Sequence, residues 1–324
     1  MAVTLARAGL ATLPTPLVRA HRLEEALAAG PIYLKRDDLT GFGVAGNKAR
    51  ALEFLIGDAV ARRADVLVSG GSPSSSFCAA AAMAATTAGL ACDLLFSGPA
   101  PTTPAVNIAL ARAAGARLHF DAAPTREQLD EAVVAHSARL AAAGHRPYAV
   151  PRGGATGVGA AGYACAAREL ADQCAAAEIS PAVVVVATGS GATQAGLVAG
   201  QVGFGLPWRV LGASVSREPD EARAQVLGVA RECARLLGLA PPAATDVDLR
   251  DCRGPGFGVP SEDDRTSAAI ALRHEGLLLD PGYGAKAMSL LRREIRDGTP
   301  APVVFWHTGG VAAALSALVQ GAQP

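Results

Sequence analysis

Lysine is scarce in this chain, and one lysine stands where a cation is disfavoured. Of the 29 basic residues, all but Lys35, Lys48 and Lys286 are arginine. Lys48 follows a glycine-rich segment and Asn47, which we predict to cap the N-terminus of a helix over about residues 48–63. The dipole of that helix disfavours an ammonium in the first turn and should lower the pKa of Lys48. A neutral amine, unlike a guanidinium, can attack an aldehyde.

A second motif is suited to binding a phosphate group. Residues 187–193, "ATGSGAT", follow a run of valines and open a predicted helix. Gly189 and Gly191 allow a ligand to approach the backbone closely, while Ser190 and Thr193 add hydroxyls to the N–H groups of the helix N-terminus. The spacing is neither that of a Walker A loop nor that of GxGxxG. An ordinary strand-to-helix turn that needs glycine is the alternative.

The two motifs together indicate one cofactor. Pyridoxal 5′-phosphate (PLP) combines an aldehyde, which a lysine amine can attack, with a phosphate monoester, which the glycine-rich turn could bind. A solvated lysine at the start of a helix is the alternative for Lys48, since most lysines are surface charges. The scarcity of lysine, the glycine-rich approach to Lys48 and the separate anion-binding turn favour a PLP site.

Short strand-like runs alternate with alanine-rich helical segments, as in parallel sheets with crossover helices. Three units combine a strand, a Gly/Ser-rich turn and a helix: "VLVSGGSPSSSFCAAAAMAA", "VVVVATGSGATQAGLVAG" and "VVFWHTGGVAAALSALV". Ligands of open α/β sheets bind at such turns. The predicted strands are 33–36, 66–69, 93–96, 118–120, 148–150, 182–187, 209–214 and 302–306, and the other predicted helices are about 75–88, 104–114, 125–143, 158–177, 192–202, 218–238, 261–275, 285–297 and 311–320.

Composition excludes several classes of partner. The 324 residues carry 29 basic and 29 acidic side chains, so we expect no nucleic-acid or membrane partner. We find neither an apolar run long enough to span a bilayer nor a signal-peptide pattern, and we expect a cytoplasmic protein.

The cysteines show no CxxC pair and are interpreted as small buried apolar residues. The scattered histidines give no HxH or HExxH motif, so no metal site is predicted. Asp37 and Asp38 are interpreted as structural partners of nearby arginines.

Taken together, these motifs resemble those of a known family. The chain resembles the fold-type II PLP-dependent enzymes, and among them the branch of D-cysteine desulfhydrase and 1-aminocyclopropane-1-carboxylate (ACC) deaminase. The similar segments run from about Pro14 to Val311, and they are "YLKRDDLTG…GNKARALEFL", "ATGSGATQAGL", "RGGATGVGAAGYACAARELADQ", "LDPGYGAKAMSLL" and "HTGG".

The resemblance implies a fold and a set of cofactor contacts. The fold would be α/β, tryptophan-synthase-β-like, with two open parallel-sheet, three-layer domains: residues 1–45 plus 155–324 as the large PLP-binding domain and residues 46–154 as the small one. Lys48 would bond to the cofactor, and Thr308 would place a hydroxyl at its pyridine nitrogen. Tyr283 would act as an acid or base near the substrate, a half-buried structural tyrosine being the alternative. The implied phosphate contacts are Thr188, Gly189, Ser190, Gly191, Ala192 and Thr193.

One segment departs from the family pattern. The branch has Gln-Ser-Asn after its second strand, whereas this chain has "GGSPSSSFC" and no asparagine. Ser75 matches the family serine, a candidate acid or base, and Ser76 matches the cofactor-binding asparagine; a register with Ser74 and Ser75 is the alternative. A serine-rich helix start suits a substrate carboxylate, so Ser74, Ser75, Ser76 and Tyr283 are the candidate substrate contacts. Simple helix capping by serine is the other interpretation.

The resemblance implies a PLP-dependent lyase or deaminase of a small amino acid. Such an enzyme eliminates a β-substituent or opens a ring and releases a 2-oxo acid and ammonia, as D-cysteine desulfhydrase does. A β-replacement synthase is the alternative within the class. A catalytically idle PLP-binding regulator and a nucleotide binder without PLP are the alternatives outside it. We also expect a homodimer.

Overall fold

The structure, a computed structural model, describes residues 5–102, 105–123 and 125–321, except the side chains of residues 126 and 127. Residue 104, where one helix is predicted to begin, and the ends of the predicted large domain, residues 1–4 and 322–324, lie outside the described residues. The strands form two sheets, one drawn from residues 17–36 and 183–307 and one from residues 66–149. The predicted limits of the two domains stay a prediction.

The larger sheet has six strands and carries the site at its carboxyl edge. Its strands are parallel except the first, which runs antiparallel to the second. The central strands are fully buried runs of apolar residues, as expected where helices cover both faces of a parallel sheet. In spatial order the strands are β1 (Leu17–Arg19), β2 (Ile32–Arg36), β10 (Val303–His307), β7 (Val183–Thr188), β8 (Arg209–Ser214) and β9 (Asp248–Asp251).

The smaller sheet is parallel throughout and has four strands. Its strand nearest the site is buried along its whole length and ends in two glycines. In spatial order the strands are β5 (Arg117–His119), β4 (Ala91–Phe96), β3 (Val66–Gly71) and β6 (Pro147–Ala149).

Helices cover both faces of each sheet, which makes two three-layer α/β units. This arrangement confirms the predicted fold class. Among the described elements, the sequence pattern missed only short ones: the edge strands β1 and β9, the first helix and three 3-10 helices of three residues each. The helices are α1 (His21–Leu27), α2 (Lys48–Ala61), α3 (Ser76–Thr87), α4 (Val106–Ala113), α5 (Arg126–Ala142), α6 (Gly157–Ala176), α7 (Ala192–Gly203), α8 (Pro219–Leu237), α9 (Glu262–Glu275), α10 (Gly284–Arg296) and α11 (Val311–Val319).

A buried polar cluster fixes α2 to the larger sheet. Arg50, in the first turn of α2, pairs with the carboxylates of Asp37 at 2.9 Å and Glu169 at 2.8 Å. Asp37 also accepts hydrogen bonds from the hydroxyl of Tyr163 and the indole of Trp306. Each buried charge is therefore paired or hydrogen-bonded, as burial requires. The cluster agrees with the structural role expected for Asp37. It also holds α2, the helix that begins at Lys48, against the larger sheet.

The environment of one side chain differs from expectation. Five of the six cysteines are buried, but Cys165 is exposed, so the buried interpretation is wrong for that residue. Lys286 is fully buried and paired: its ammonium lies 3.8 Å from an Asp264 carboxylate oxygen and donates to the carbonyl of Arg253 at 2.5 Å. Among the described residues no helix has the length and apolar content to cross a membrane.

Candidate active site

The turns that follow β3, β7 and β10 meet around one cavity of about 470 Å³ between the two sheets. Its size is typical of a site for a small ligand. Every residue proposed from the sequence for cofactor, substrate or catalysis lines this cavity, although the role of each stays a prediction. They are Lys48, Ser74, Ser75, Ser76, Thr188, Gly189, Ser190, Gly191, Ala192, Thr193, Tyr283 and Thr308.

Lys48 is the first residue of α2, and Asn47 links it to the glycine-rich turn. The Lys48 ammonium donates to Asn47 Oδ1 at 2.5 Å, while Asn47 Nδ2 donates to Thr193 Oγ1 at 2.9 Å. Asn47 occupies the N-cap position, yet its side chain makes no capping hydrogen bond, so that part of the prediction is wrong. The asparagine instead connects the amine with the expected phosphate-binding turn.

The start of α2 is packed closely against the turn after β10. The backbone N–H of Asn47 donates to the carbonyl of Thr308 at 2.9 Å. Gly46, with φ of +55°, has that carbonyl oxygen only 2.5 Å from where a Cβ would lie. A side chain at position 46 would therefore separate Lys48 from Thr308.

Burial lowers the pKa of Lys48 from 10.5 to about 8, and the nearby Asp280 carboxylate opposes this shift. The direction agrees with the sequence-based expectation, but the main physical cause is desolvation rather than the helix dipole. The ammonium lies 5.6 Å from the centroid of the Tyr283 ring. The cavity thus holds an amine of which about one tenth is neutral at pH 7, close to the ring of a tyrosine.

Asp280, which is not among the site residues predicted from the sequence, organises the tyrosine segment. Its buried carboxylate accepts backbone hydrogen bonds from Gly282, Tyr283 and Gly284 at 2.9–3.0 Å. Burial raises the pKa of Asp280, while these N–H groups and Lys48 act in the opposite direction. An aspartate shortly before a glycine-rich helix start is a local signal for such a turn and could have revealed it.

The turn after β7 leaves space for a ligand only because its residues are small. Gly191 is the N-cap of α7 with φ of +101°, a conformation that favours glycine. A Cβ on Gly189 would come within 2.8 Å of the Tyr283 ring. The Thr188 hydroxyl donates to buried Gln194 at 2.8 Å, so its side chain is engaged within the protein. Arg217, which the sequence analysis did not identify, donates to the carbonyl of Gly189 at 2.5 Å and brings positive charge to the turn.

The serine-rich turn lines the same cavity as Lys48. Ser75 is the N-cap of α3, and its Oγ accepts from the N–H of Cys78 at 3.3 Å. The capping interpretation therefore applies to this serine. Its hydroxyl proton can still be donated to a ligand, since capping uses only the oxygen as an acceptor. Asn107 fixes the turn by donating to the carbonyl of Ser74 at 2.8 Å.

These residues fit PLP. The cavity contains a half-buried amine of lowered pKa, the N-terminus of α7 with its backbone N–H groups, and the Thr308 hydroxyl from the turn after β10. Asn47 forms hydrogen bonds with both the amine and the anion-binding turn. The amine and the turn can therefore bind the aldehyde and the phosphate of the same small molecule.

Comparison with known proteins gives the family. The sequence pattern of the pyridoxal-phosphate-dependent enzymes matches residues 9–309, and the chain belongs to that family. The chain is also 37% identical over 311 residues to D-cysteine desulfhydrase of Salmonella choleraesuis (strain SC-B67), covering 93% of this chain and 92% of that protein. D-cysteine desulfhydrase of Salmonella paratyphi C (strain RKS4594) matches to the same extent.

Solved structures agree with this assignment. A crystal structure of an ACC deaminase homologue superimposes with a TM-score of 0.91 at 30% identity and covers 98% of this chain and 95% of its own. A threonine deaminase from T.th., at 19% identity, shares the fold with a TM-score of 0.63, covering 91% of this chain and 92% of its own. The predicted family and cofactor are confirmed, as is the general prediction of a PLP-dependent lyase or deaminase of a small amino acid.

Proposed function

We propose that this enzyme catalyses α,β-elimination on a small amino acid with a β-leaving group, with cysteine as the leading candidate. For cysteine, one water is consumed, and pyruvate, ammonia and hydrogen sulfide are released. The carrying observation is that the Lys48 amine lies in the cavity wall 5.6 Å from the centroid of the ring that bears the Tyr283 hydroxyl, so two groups that can transfer protons line the same cavity. The names of the most similar relatives, D-cysteine desulfhydrases, support this choice.

The position of each residue in the cavity determines its role in the reaction. PLP, when bound, supplies an electron sink at the α-carbon of the substrate. Lys48 removes the α-proton, because its pKa of about 8 leaves a useful neutral fraction near pH 7. Tyr283 donates a proton to the leaving group, and Asp280 positions it through the backbone N–H of residue 283.

The remaining residues bind the cofactor and the substrate. The backbone of residues 188–193 binds the phosphate, and Asn47 keeps that turn in register with Lys48. Thr308, which lines the cavity, would place its hydroxyl at the pyridine nitrogen. The serine-rich turn at residues 74–76 binds the substrate carboxylate through hydroxyls and the N-terminus of α3.

Domain limits, assembly and location are proposed on the family resemblance. Residues 1–45 with 155–324 would form the large domain and residues 46–154 the small one, and the enzyme would act in the cytoplasm as a homodimer. Light scattering of the purified holoenzyme would then give about twice the 32.6 kDa mass of one chain. A mass of one chain at micromolar concentration would contradict the dimer.

The chain's three lysines allow a sharp test of cofactor attachment. The protein is freed of cofactor, incubated with PLP, reduced with borohydride, digested and analysed by mass spectrometry. We expect the label on Lys48 only, because Lys35 and Lys286 are buried and donate to protein acceptors. Lys48→Ala is the control and should carry no label. Labelling of either other lysine in place of Lys48 would contradict the proposal.

A substrate panel tests the reaction. The holoenzyme is incubated with D- and L-cysteine, β-chloroalanine, serine and ACC, and 2-oxo acid, ammonia and sulfide are measured. Tyr283→Phe should lower kcat by about 100-fold or more while retaining the cofactor. The matched control is Tyr148→Phe, since the Tyr148 hydroxyl donates to Asp58 outside the cavity. Incorporation of an added thiol would instead identify a β-replacement synthase, and no change with any amino acid would favour the idle regulator.

A further inference from the structure

Two histidines and an aspartate meet on the smaller sheet, outside the walls of the PLP cavity. Asp93 lies in β4, His119 ends β5, and His136 lies in α5, which packs on that face of the sheet. One nitrogen or oxygen atom from each side chain lies within 4.8 Å of the other two. No short sequence motif indicates this cluster, because its three residues are far apart in the sequence and lie on three different elements.

One ligand atom of the cluster makes no hydrogen bond to any residue that the structure describes. His136 Nε2 lies 2.7 Å from Asp93 Oδ2, a hydrogen bond. His119 Nε2 lies 3.6 Å from the same oxygen, beyond hydrogen-bonding distance, and is buried without a hydrogen-bond partner. Burial of an unsatisfied imidazole nitrogen is costly unless another group occupies the space in front of it.

The types of ligand atom in this cluster favour one kind of metal ion. Two imidazoles and a carboxylate suit Zn²⁺ and its neighbours in the first transition series, whereas Mg²⁺ and Ca²⁺ prefer oxygen ligands alone. Ligand atoms about 2 Å from a tetrahedral zinc ion are about 3–3.5 Å apart. The observed separations of 2.7 and 3.6 Å from Asp93 Oδ2 bracket that range.

We propose that Asp93, His119 and His136 form a binding site for a divalent transition-metal ion of the zinc type, with water as the fourth ligand. The site would join β4 and β5 to α5. The His119 side chain as a whole is 40% exposed, so the site lies close to the protein surface although Nε2 itself is covered.

Neighbouring cations limit the strength of this site. Arg117 donates to Asp93 Oδ1 at 2.5 Å, and Arg139 Nη2 lies 3.4 Å from His136 Nδ1. Both guanidiniums repel a metal ion, and Arg117 also competes for the carboxylate. We therefore expect micromolar rather than nanomolar affinity for zinc, and tighter binding when Arg117 is neutralised.

Metal binding would act on the PLP cavity through α5. Thr125, the N-cap of that helix, and Leu129 in its first turns both line the cavity. Asp130 pairs at 2.9 Å with Arg152, another lining residue. An ion bound at His136 would hold α5 against the sheet and restrict the movement of this wall.

The test measures Zn²⁺ binding to the holoenzyme by isothermal titration calorimetry, with Co²⁺ absorption bands reporting imidazole coordination. Wild type should bind one ion per chain, and His119→Asn and His136→Asn should each weaken binding by about tenfold or more. His145→Asn is the matched control, because His145 lies 3.7 Å from Asp65 on the surface away from the cluster. Arg117→Gln should tighten binding, an outcome that damage to the fold would not produce.

Several results would overturn the proposal. Wild type that shows no saturable zinc binding below about 100 µM would mean a purely structural polar cluster. Equal affinity in wild type and in the His119→Asn, His136→Asn double variant would place the ion elsewhere, for example at the exposed Cys165. Weaker binding in Arg117→Gln would contradict the electrostatic argument. None of these results depends on which amino acid the enzyme uses.

Discussion

Replacing Lys48 with methionine should stabilise the cofactor-free protein at neutral pH. In the folded protein the pKa of Lys48 is about 8, whereas an exposed lysine has a pKa of 10.5. Below pH 8 the folded protein must therefore keep an ammonium in a site that disfavours it. Methionine fills similar space without a charge, so Lys48→Met removes this cost.

The size of the effect follows from the pKa difference. A fall from 10.5 to about 8 corresponds to about 3 kcal/mol at pH 7, as an upper limit. Lys48 is only half-buried because it borders a cavity that admits water, so we expect about 1–2 kcal/mol. The unfolded chain binds the extra proton between pH 8 and 10.5. The free energy of unfolding of the wild type therefore rises relative to that of the variant between pH 8 and 10.5. Above pH 10.5 the advantage of the variant is lost.

The assay is urea denaturation of both cofactor-free proteins at pH 7 and pH 10. Lys35→Met provides a control of opposite sign, because the Lys35 ammonium donates to the Thr15 carbonyl and to the side chains of Glu169 and Gln173. Removing the ammonium takes one donor from each of these acceptors and deprives Glu169 of one of its two cationic partners among the described residues, Arg50 being the other, and should cost about 1–3 kcal/mol. The reasoning is refuted if Lys48→Met is less stable than wild type at pH 7, or if its advantage is the same at both pH values.

Two further predictions concern the charge beside Lys48 and the packing around glycines inside helices. Asp280→Asn should lower the pKa of Lys48 further, so the pH midpoint for PLP capture by the cofactor-free protein should fall below that of wild type; an unchanged midpoint would exclude this electrostatic role. Gly196→Ala should destabilise the protein by about 1–3 kcal/mol, because its Cβ would lie 2.1 Å from the carbonyl oxygen of Ala160. Gly228→Ala, in α8 with open space around it, should instead gain about 0.5–1 kcal/mol, and thermal unfolding would compare the two.

The sequence alone determined the features that depend on local chemistry. The valine run of β7 and the "VVFW" run of β10 are buried strands because both faces of a parallel sheet are covered, and their glycine-rich ends make the turns. The scarcity of lysine and the turn at residues 187–193 indicated the cofactor, which the family confirms. The pattern missed α1, β1 and β9, since elements of 3–7 residues carry little periodicity.

The tertiary structure decided which side chains meet. The helix dipole predicts a lowered pKa for Lys48, but the amount depends on desolvation by walls contributed from distant segments. Asn47 could have capped α2, yet Thr193, 146 residues away, gives its side chain another partner. Asp280 lies beside Lys48, and Asp93 beside His136, only because the chain folds back on itself. Burial and long-range contact set these interactions, and neither is encoded in the spacing of neighbouring residues.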